Sequence, residues 1–412
     1  MSSEAFSWHS EAILYTPLGA SISAKSSLAE DPKQTHPVAA FLKLLQDGHA
    51  PLVKSDGTSA IGPKAAVGNM FYSSSGGSTG EPKLICRSCK SWALSFQENA
   101  KLFTLKHKKS YATFGHLSHS LTLYAALEAL TTGAEYHPLE GLGTKQQLKM
   151  IAYREIQILY ATPTQLRILT KSATLQSRLK AVRGVMIGGG WLDRETKQRV
   201  QELCPNAEIK EFYGAAETSF ITISDPSTPL GSVGQPYTSV RIKILDTAEN
   251  KVKAGSSGEI WIKSPYLFSH YAEGVKQHTR WRNGWLSIGE IGKLDTKGNL
   301  YLTGRKSRAF KIADQNISTG ILRQNILDKA NEAFSGNKTT EEFSKKINDA
   351  INSVADSQNK ASKITKDYEL GKENDLTKVI MQQQISNIAF QMTLNVRNKV
   401  LSSYKDIMNM PV

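Results

Sequence analysis

The sequence is poor in the residues that build disulfide-rich, membrane-spanning or metal-cluster proteins. It has three cysteines in 412 residues, Cys86, Cys89 and Cys204, too few for a disulfide framework. Cys86 and Cys89 lack a second Cys or His pair at zinc spacing, so we expect ordinary reduced thiols of a cytosolic protein. No apolar run approaches the roughly 18 residues that a membrane-spanning helix needs. The first ten residues also lack the basic start and apolar core of a signal peptide.

Several residue types are missing from the last quarter of the chain, which divides the sequence near residue 314. All six tryptophans, all nine histidines and all three cysteines precede that point, as do thirteen of the fourteen prolines. Such a shift in composition indicates modules of different architecture. We predict a head made of residues 1–220 and 221–314, and a separate tail made of residues 315–412.

The formal net charge is +14, and most of it falls within the head. Excess positive charge favours a polyanionic ligand such as ATP or CoA, or nonspecific binding of nucleic acid, although a basic soluble surface explains it equally well. No nucleic-acid-binding motif is present, so we expect no nucleic-acid partner.

Apolar strands alternate with helix-like segments between residues 70 and 216. Strands are predicted at 111–115, 158–161, 182–187 and 209–213, and helices at 118–131, 145–154, 164–171 and 194–202. This alternation is typical of an α/β fold with a doubly wound, mainly parallel sheet. Ligands of such sheets bind beyond the carboxyl ends of the strands. From residue 231 to 312 the period shifts to two, which predicts a small β-rich subdomain.

A loop rich in Gly and Ser follows the apolar strand at 70–72. It contains Ser75, Gly76, Gly77, Ser78, Thr79 and Gly80, and ends at Lys83. Between a strand and the helix predicted at 92–102, its backbone N–H groups and hydroxyls could hold a phosphate. It is not a Walker loop, because Pro82 separates Gly80 from the lysine. The alternative interpretation is a simple turn.

Four further segments carry candidate ligand-binding residues. They are His119 in a loop after a strand, Gly189 and Gly190 at the end of another strand, Tyr213, Gly214 and Glu217 in the segment 211–218, and Glu290 and Arg305 in the β-rich region. Each also has a plain structural interpretation, as a hydrogen-bonded loop histidine, a tight turn or a solvated surface charge.

Taken in order, these segments resemble the motifs of the adenylate-forming enzymes, the superfamily of acyl-CoA synthetases and aryl acid–AMP ligases. The resemblance covers residues 70–312. It implies ATP-dependent activation of a small carboxylic acid, with ATP and Mg²⁺ as cofactors and CoA as a candidate acceptor.

The resemblance also implies a role for each candidate residue. The loop from Ser75 to Gly80 and Lys83 would bind phosphate, Gly189 and Gly190 would lie near the adenine and the acyl group, and Tyr213, beside Gly214, would stack on the adenine. Glu217 would hold Mg²⁺, Glu290 would bind the ribose, Arg305 would contact the ribose or the α-phosphate, and His119 would line the acyl pocket.

The sequence departs from the family pattern at several positions. Ser120 replaces the asparagine that reads an aryl acid, Ala216 replaces a threonine that Thr218 could substitute for, and Glu290 replaces an aspartate. The head looks abbreviated at its front, and no segment after Ile312 resembles the family's C-terminal lid with its catalytic lysine. We expect ATP binding with slow turnover, since the loss of one such group typically costs about 10²–10³ in rate.

The tail is predicted to form a helical hairpin. A heptad seam that includes Phe343, Ile347 and Val354 marks the first helix, and a second helix at 376–408 is apolar on two faces. A lone hairpin cannot bury both faces, so we expect the tail to assemble into oligomers. Its C-terminal run, Tyr404-Lys405-Asp406-Ile407-Met408-Asn409-Met410-Pro411-Val412, resembles the flagellar hook–basal body protein FliE.

The FliE resemblance implies a structural adaptor with flagellar rod and MS-ring proteins as partners. An unrelated coiled coil is the alternative. Two readings of the whole chain therefore stay open. One is an acid-activating cytoplasmic head fused to a basal-body tail. The other is a purely structural basal-body component whose nucleotide-binding head is inactive. A gene fusion, a misjoined reading frame or an engineered join would each explain the pairing.

Overall fold

The structure is a computed structural model that describes most of the head. The described residues are 6–17, 20–24, 36–63, 69–75, 83–103, 105, 109–174, 177–272, 279–305, 309–312 and 315–318, with 359, 362 and 363. The chain divides into two units, Met1–Ile321 and Leu322–Val412. The heptad seam and the hairpin predicted for the tail lie outside the described residues.

The secondary structure of the described residues comprises six helices and 22 strands. The helices are α1 (Pro37–Gln46), α2 (Cys89–Asn99), α3 (Ser120–Thr131), α4 (Thr144–Tyr153), α5 (Pro163–Ser172) and α6 (Arg194–Leu203). The strands up to residue 223 are β1 (Ile13–Tyr15), β2 (Ser21–Ser23), β3 (Pro51–Val53), β4 (Ser59–Ile61), β5 (Met70–Ser75), β6 (Lys83–Ser88), β7 (Ser110–Thr113), β8 (Glu135–Pro138), β9 (Ile158–Ala161), β10 (Gly184–Ile187), β11 (Glu208–Ala215) and β12 (Ser219–Ile223). The remaining strands are β13 (Gln235–Pro236), β14 (Arg241–Leu245), β15 (Gly258–Lys263), β16 (His270–Tyr271), β17 (Arg280–Arg282), β18 (Trp285–Ser287), β19 (Glu290–Leu294), β20 (Leu300–Arg305), β21 (Ala309–Ile312) and β22 (Gln315–Ser318).

A nine-stranded sheet organises the head, in the order β13-β12-β11-β10-β9-β7-β8-β1-β2. The pairs that link β1, β8, β7, β9, β10 and β11 are parallel, and the outer pairs are antiparallel. All residues of β7, β9 and β10 are buried, as expected of parallel strands that helices cover on both faces. The predicted α/β class with a mainly parallel sheet is confirmed.

Local capping signals position the helices that follow these strands. Thr162 and Gln165 form a reciprocal capping box at the start of α5. Asp193 caps α6 by accepting a hydrogen bond of 2.8 Å from the backbone N–H of Thr196, and its carboxylate also accepts one of 2.7 Å from Arg167 on α5. The hydrogen bond from Arg167, with those from Thr196, holds the pKa of Asp193 well below its usual range. Asp193 thus caps one helix and ties it to its neighbour.

The phosphate-loop segment differs from the sequence-based expectation. Strand β6 follows the loop, and it pairs with β5 in an antiparallel hairpin with Ser75 opposite Lys83. Helix α2, predicted at 92–102, begins only after β6 and is capped by the Ser88 side chain. The expectation of a loop that leads directly from a strand to a helix N-terminus was wrong, because β6 takes up the residues between them. The residues Gly76, Gly77, Ser78, Thr79 and Gly80 lie outside the described residues.

A six-stranded antiparallel sheet forms the β-rich region, in the order β17-β18-β15-β19-β20 with β14 also paired to β15. One face packs into the main core through Ile242, Ile244, Ile260 and Ile262. The predicted boundary at residue 220 falls inside β12, which pairs with β11 and β13 in the large sheet. The three-part division of the chain stays a prediction. Among the described residues, no helix is long and apolar enough to span a membrane.

Candidate active-site cavity

A cavity of about 1110 Å³ lies where the carboxyl ends of the parallel strands meet the antiparallel sheet. It is lined by eight of the residues that the sequence predicted as site residues, namely Lys83, His119, Gly189, Gly190, Tyr213, Gly214, Glu217 and Glu290. Arg305 lies in β20 directly opposite Glu290 in the strand register, although its side chain is outside the description, as is that of Ser75. The fold therefore brings together segments that are up to two hundred residues apart.

Glu217 lies on a tight turn between β11 and β12. The backbone N–H of Thr218 donates to the carbonyl of Ala215, and that of Phe268 donates to the carbonyl of Glu217 at 2.8 Å. The hydroxyl of Tyr271 donates to Glu217 Oε1 at 3.0 Å. One neighbouring segment, 268–271, therefore holds both the backbone and the carboxylate of Glu217 at the cavity wall.

Thr218 does not take the nucleotide-facing role suggested for it as a substitute for the family threonine. Its side chain is fully buried, and its Oγ1 accepts a hydrogen bond of 2.9 Å from the backbone N–H of Ala215. The hydroxyl closes the turn that carries Glu217, and Thr218 is not part of the cavity lining.

Arg87 supports the same turn from beneath, and the sequence analysis missed it. Its guanidinium is fully buried and donates to the Ala216 carbonyl, to the Tyr266 carbonyl at 3.1 Å and to the Ser219 hydroxyl at 3.0 Å. Burial lowers the pKa of Arg87 to about 9, and the negative charge of Glu217 opposes that change. The available signal was a cation in β6 that directly follows the apolar run 84–86.

His119 and Ser120 begin helix α3 at the cavity wall. The Ser120 hydroxyl donates to the Ser74 carbonyl at 2.7 Å, and the Ser74 hydroxyl donates to the Ser118 carbonyl at 2.7 Å. These two bonds lock the end of β5, which leads into the Gly/Ser loop, against the start of α3. The serine that replaces the family's asparagine therefore has a clear structural partner.

Two glycines of the cavity wall are required by the local backbone, one by a close approach of the chain and one by its φ angle. A Cβ on Gly214 would lie 1.8 Å from the carbonyl oxygen of Ser219, at a point where the β11–β12 register shifts. Gly189 has φ of +82°, a conformation that side chains disfavour. The local backbone geometry thus explains both glycines. Because both lie in the cavity wall and lack a side chain, a ligand could also approach the backbone there.

The inner end of the cavity is aromatic. Its lining includes Trp92, Tyr124, Tyr160, Phe212 and Phe220. The hydroxyl groups of the two tyrosines are engaged beneath the cavity, where Tyr160 donates to Glu128 at 2.5 Å and Asn99 donates to both tyrosines. Burial raises the pKa of Glu128 to about 7. Because the tyrosine hydroxyls are satisfied internally, this end offers mainly ring surface to a ligand.

The donor set fits a metal ion that arrives with a phosphate ligand. Among the described residues, no group of three or more His, Cys, Asp or Glu side chains could hold a metal by itself. Glu217 is one of four glutamates in the cavity lining, which also includes Lys83, and Mg²⁺ typically takes one or two carboxylates and fills its shell with water and phosphate oxygens.

The three cysteines are buried and free, as predicted for reduced thiols. Burial raises the pKa of Cys89 and of Cys204 to about 12, so neither is activated as a nucleophile.

The sheet and the cavity at the carboxyl ends of its strands define an α/β protein, and comparison with known proteins assigns the family. The sequence model described as AMP-binding enzyme matches residues 20–272, and the one described as flagellar hook-basal body complex protein FliE matches residues 324–412. The first match spans more than half of the chain. The chain therefore belongs to the AMP-binding enzyme family, and its tail is similar to FliE.

Individual relatives agree with this assignment. The chain is 28% identical over 292 residues to the uncharacterised acyl–CoA ligase YhfT of Bacillus subtilis, covering 68% of this chain and 59% of that protein. It is 30% identical over 262 residues to VraA of Staphylococcus haemolyticus, described as a candidate long chain fatty acid–CoA ligase, covering 62% of this chain and 54% of VraA. The chain thus spans little more than half the length of these relatives.

Solved structures share the fold. O-succinylbenzoate coenzyme A synthetase of Bacillus subtilis superposes with a TM-score of 0.54 and 23% identity, over 63% of this chain and 56% of that one. A complex of the same synthetase with ATP and magnesium ion gives a TM-score of 0.54 over 63% of this chain and 55% of that one, also at 23% identity. At this identity the likeness shows the fold alone.

Proposed function

We propose that the head activates a carboxylic acid with ATP. The acid's carboxylate oxygen attacks the α-phosphorus, the bond to the bridging oxygen of the β-phosphate breaks, and acyl-adenylate and pyrophosphate result. The observation that carries the proposal is the meeting of Lys83, Glu217 and Glu290 with an aromatic inner end in one cavity. Such a cavity has a polar part for a nucleotide and an apolar part for an acyl group.

Each group has a role in this proposal. Lys83 neutralises phosphate charge, Tyr213 offers a ring to the adenine, and Glu290 with Arg305 binds the ribose side. Glu217, held by Tyr271, would hold Mg²⁺, which would supply positive charge next to the phosphates. His119 and the aromatic inner end position the acid. Positioning and electrostatic stabilisation supply most of the rate in such an in-line displacement.

The acid that we favour is compact. Five aromatic side chains line the inner end, and Glu128, Asn99 and Tyr237 close it from beneath through their hydrogen bonds to each other and to the lining tyrosines. A short or ring-shaped acid matches that shape better than an extended chain. CoA is the candidate acceptor of the acyl group.

The test is ATP–pyrophosphate exchange with a panel of aryl, short-chain and long-chain acids. We expect acid-dependent exchange by the full chain and a loss of about 10²–10³ in Glu217→Gln. Glu208→Gln is the matched control, since Glu208 is an exposed residue at the start of β11, the strand that leads into the Glu217 turn. Absence of exchange with every acid, in protein whose melting curve shows a folded head, would favour the alternative of an inactive nucleotide-binding head.

We predict slow turnover, because no segment after Ile312 resembles the family's lid with its catalytic lysine. Exchange rates in the usual range of the family would contradict it.

For the tail we propose a FliE-like role at the flagellar basal body, with the rod and MS-ring proteins as partners. The match to residues 324–412 supports this. We expect the full chain to form oligomers in sedimentation velocity, and the paired change Ile347→Asp and Val354→Asp in the heptad seam to abolish them. Oligomers that persist in this variant would contradict the proposal. The cytoplasmic location of the head is part of the same proposal.

A further inference from the structure

The outer face of the antiparallel sheet is strongly cationic, and neither the fold nor the adenylation reaction accounts for it. Residues directly opposite each other in an antiparallel pair share a face. Arg241 lies opposite Lys263, and Lys243 lies opposite Trp261. On the neighbouring hairpin Arg280 lies opposite Ser287, and Arg282 lies opposite Trp285. We name the set Arg241, Lys243, Lys263, Arg280 and Arg282, with Trp261 and Trp285, the basic face.

Ring contacts hold these cations in place. Lys243 Nζ lies 4.5 Å from the centroid of Trp285, and Arg280 Cζ lies 5.3 Å from that of Trp261. Arg241 Cζ lies 5.9 Å from the centroid of Trp285. Stacking on a ring orders a cation without neutralising its charge, so the face is preorganised for an anion.

Carboxylates offset only part of this charge. Glu259 is buried, accepts a hydrogen bond of 2.5 Å from Ser287 and pairs with Arg280, and Glu249 pairs with Arg282. Within the described part of the chain, no ion pair with a carboxylate is found for Arg241, Lys243 or Lys263. An ordinary solvated sheet face carries positive and negative side chains interspersed. The excess of positive charge on the basic face therefore indicates an anionic ligand.

The basic face is continuous with the cavity. Arg280 belongs to the basic face, and Glu259 pairs with it. Both residues also line the cavity. The distance across the sheet from β17 to β14, by way of β18 and β15, is three strand spacings, or about 14 Å. A ligand whose reactive end lies in the cavity could therefore lay a phosphate-bearing end of nucleotide size along Arg280, Lys243 and Arg241.

We propose that the basic face binds the phosphorylated nucleotide end of the thiol acceptor, with CoA as the ligand that has this chemistry. The proposal rests on the proposed adenylation, because an acceptor is needed only if an acyl-adenylate forms. It adds a binding site outside the reaction centre and names residues that distinguish a phosphorylated acceptor from a simple thiol.

The test measures binding of CoA, dephospho-CoA and pantetheine to the full chain by calorimetry at low salt. In the paired variant Arg241→Ser and Lys243→Ser we expect the Kd for CoA to rise roughly tenfold, with a smaller rise for dephospho-CoA and none for pantetheine. The matched control is Lys145→Ser with Lys149→Ser, which removes the same charge from the exposed surface of α4 and should change the Kd less than twofold. The charge-conserving pair Arg241→Lys and Lys243→Arg should restore binding.

Equal CoA affinity in the basic-face variant and the control would overturn the proposal, as would absence of CoA binding by the unaltered chain. Pyrophosphate exchange separates this outcome from a failure of the adenylation proposal, because exchange needs no acceptor. Exchange that is unchanged in the basic-face variant while CoA binding weakens would support the site. If the Glu217→Gln variant retains its affinity for CoA, the CoA site on the basic face is separate from the reaction centre.

Discussion

The hydroxyl of Tyr271 donates a hydrogen bond of 3.0 Å to Glu217 Oε1 across the wall of the cavity. Tyr271 belongs to β16, which pairs with β6, whereas Glu217 lies between β11 and β12. Burial and the neighbouring Glu217 raise the pKa of Tyr271, so its proton stays on the hydroxyl at neutral pH. One oxygen of the Glu217 carboxylate is thereby held in place.

Tyr271→Phe removes this hydrogen bond and keeps the ring. We expect pyrophosphate exchange to fall about fivefold, since a neutral hydrogen bond is worth about 1 kcal/mol. Tyr301→Phe is the control, because its hydroxyl contacts Asp295 outside the cavity. An exchange rate equal to that of the control would mean that Tyr271 does not position Glu217.

Arg87→Lys should lower the free energy of unfolding by on the order of 2–3 kcal/mol. A lysine ammonium cannot reach the separate acceptors that the guanidinium serves, and the buried carbonyls of Ala216 and Tyr266 would lose their donors. Urea denaturation measures the change. Arg183→Lys, at an exposed arginine, should shift the free energy by less than about 0.5 kcal/mol. Similar shifts in both variants would show that the buried contacts contribute little.

Glu128→Gln should alter how stability depends on pH. Burial raises the pKa of Glu128 from 4.5 to about 7 in the folded protein, so the folded state binds the proton more tightly than the unfolded state. The stabilisation from this proton is present below pH 4.5 and is lost as the pH rises to about 7. A glutamine does not titrate and can still accept the hydrogen bond from Tyr160.

We therefore expect Glu128→Gln to be more stable than the unaltered chain at pH 8, by up to about 3 kcal/mol, and the difference to shrink as the pH falls towards 4.5. Urea midpoints across this range provide the measurement, with the exposed Glu202→Gln as control. Parallel pH profiles for the unaltered chain and Glu128→Gln would refute a raised pKa at this site.

Gly214→Ala should destabilise the head by roughly 1–3 kcal/mol, because the new Cβ would lie 1.8 Å from the Ser219 carbonyl oxygen and the β11–β12 pairing must shift. Gly143→Ala is the matched control, since the nearest atom to its Cβ lies at 3.9 Å. The denaturation midpoint distinguishes the two. A midpoint for Gly214→Ala as high as that of the control would show that the turn adapts without cost.

The sequence alone determined the fold class and identified eight of the residues that line the cavity. Strand and helix periodicity is a local property, so the predicted elements between 111 and 213 agree with the structure within about two residues. The carboxyl-end rule for parallel sheets then predicts that His119, Gly189 and Glu217 lie at one edge of the sheet. Resemblance added the roles proposed for these residues.

Only the tertiary structure decided how the site is supported. Arg87 and Ala216 are 129 residues apart, and no local pattern relates them. The same is true of Tyr271 and Glu217, which meet because β16 joins β6, and of the strand β6 that separates the Gly/Ser loop from α2. The sequence leaves open a contact between Thr218 and a nucleotide, whereas the structure buries the Thr218 hydroxyl within the β11–β12 turn. Periodicity specifies which face a residue occupies, whereas partners across the fold depend on strand order and packing, which a single sequence does not reveal.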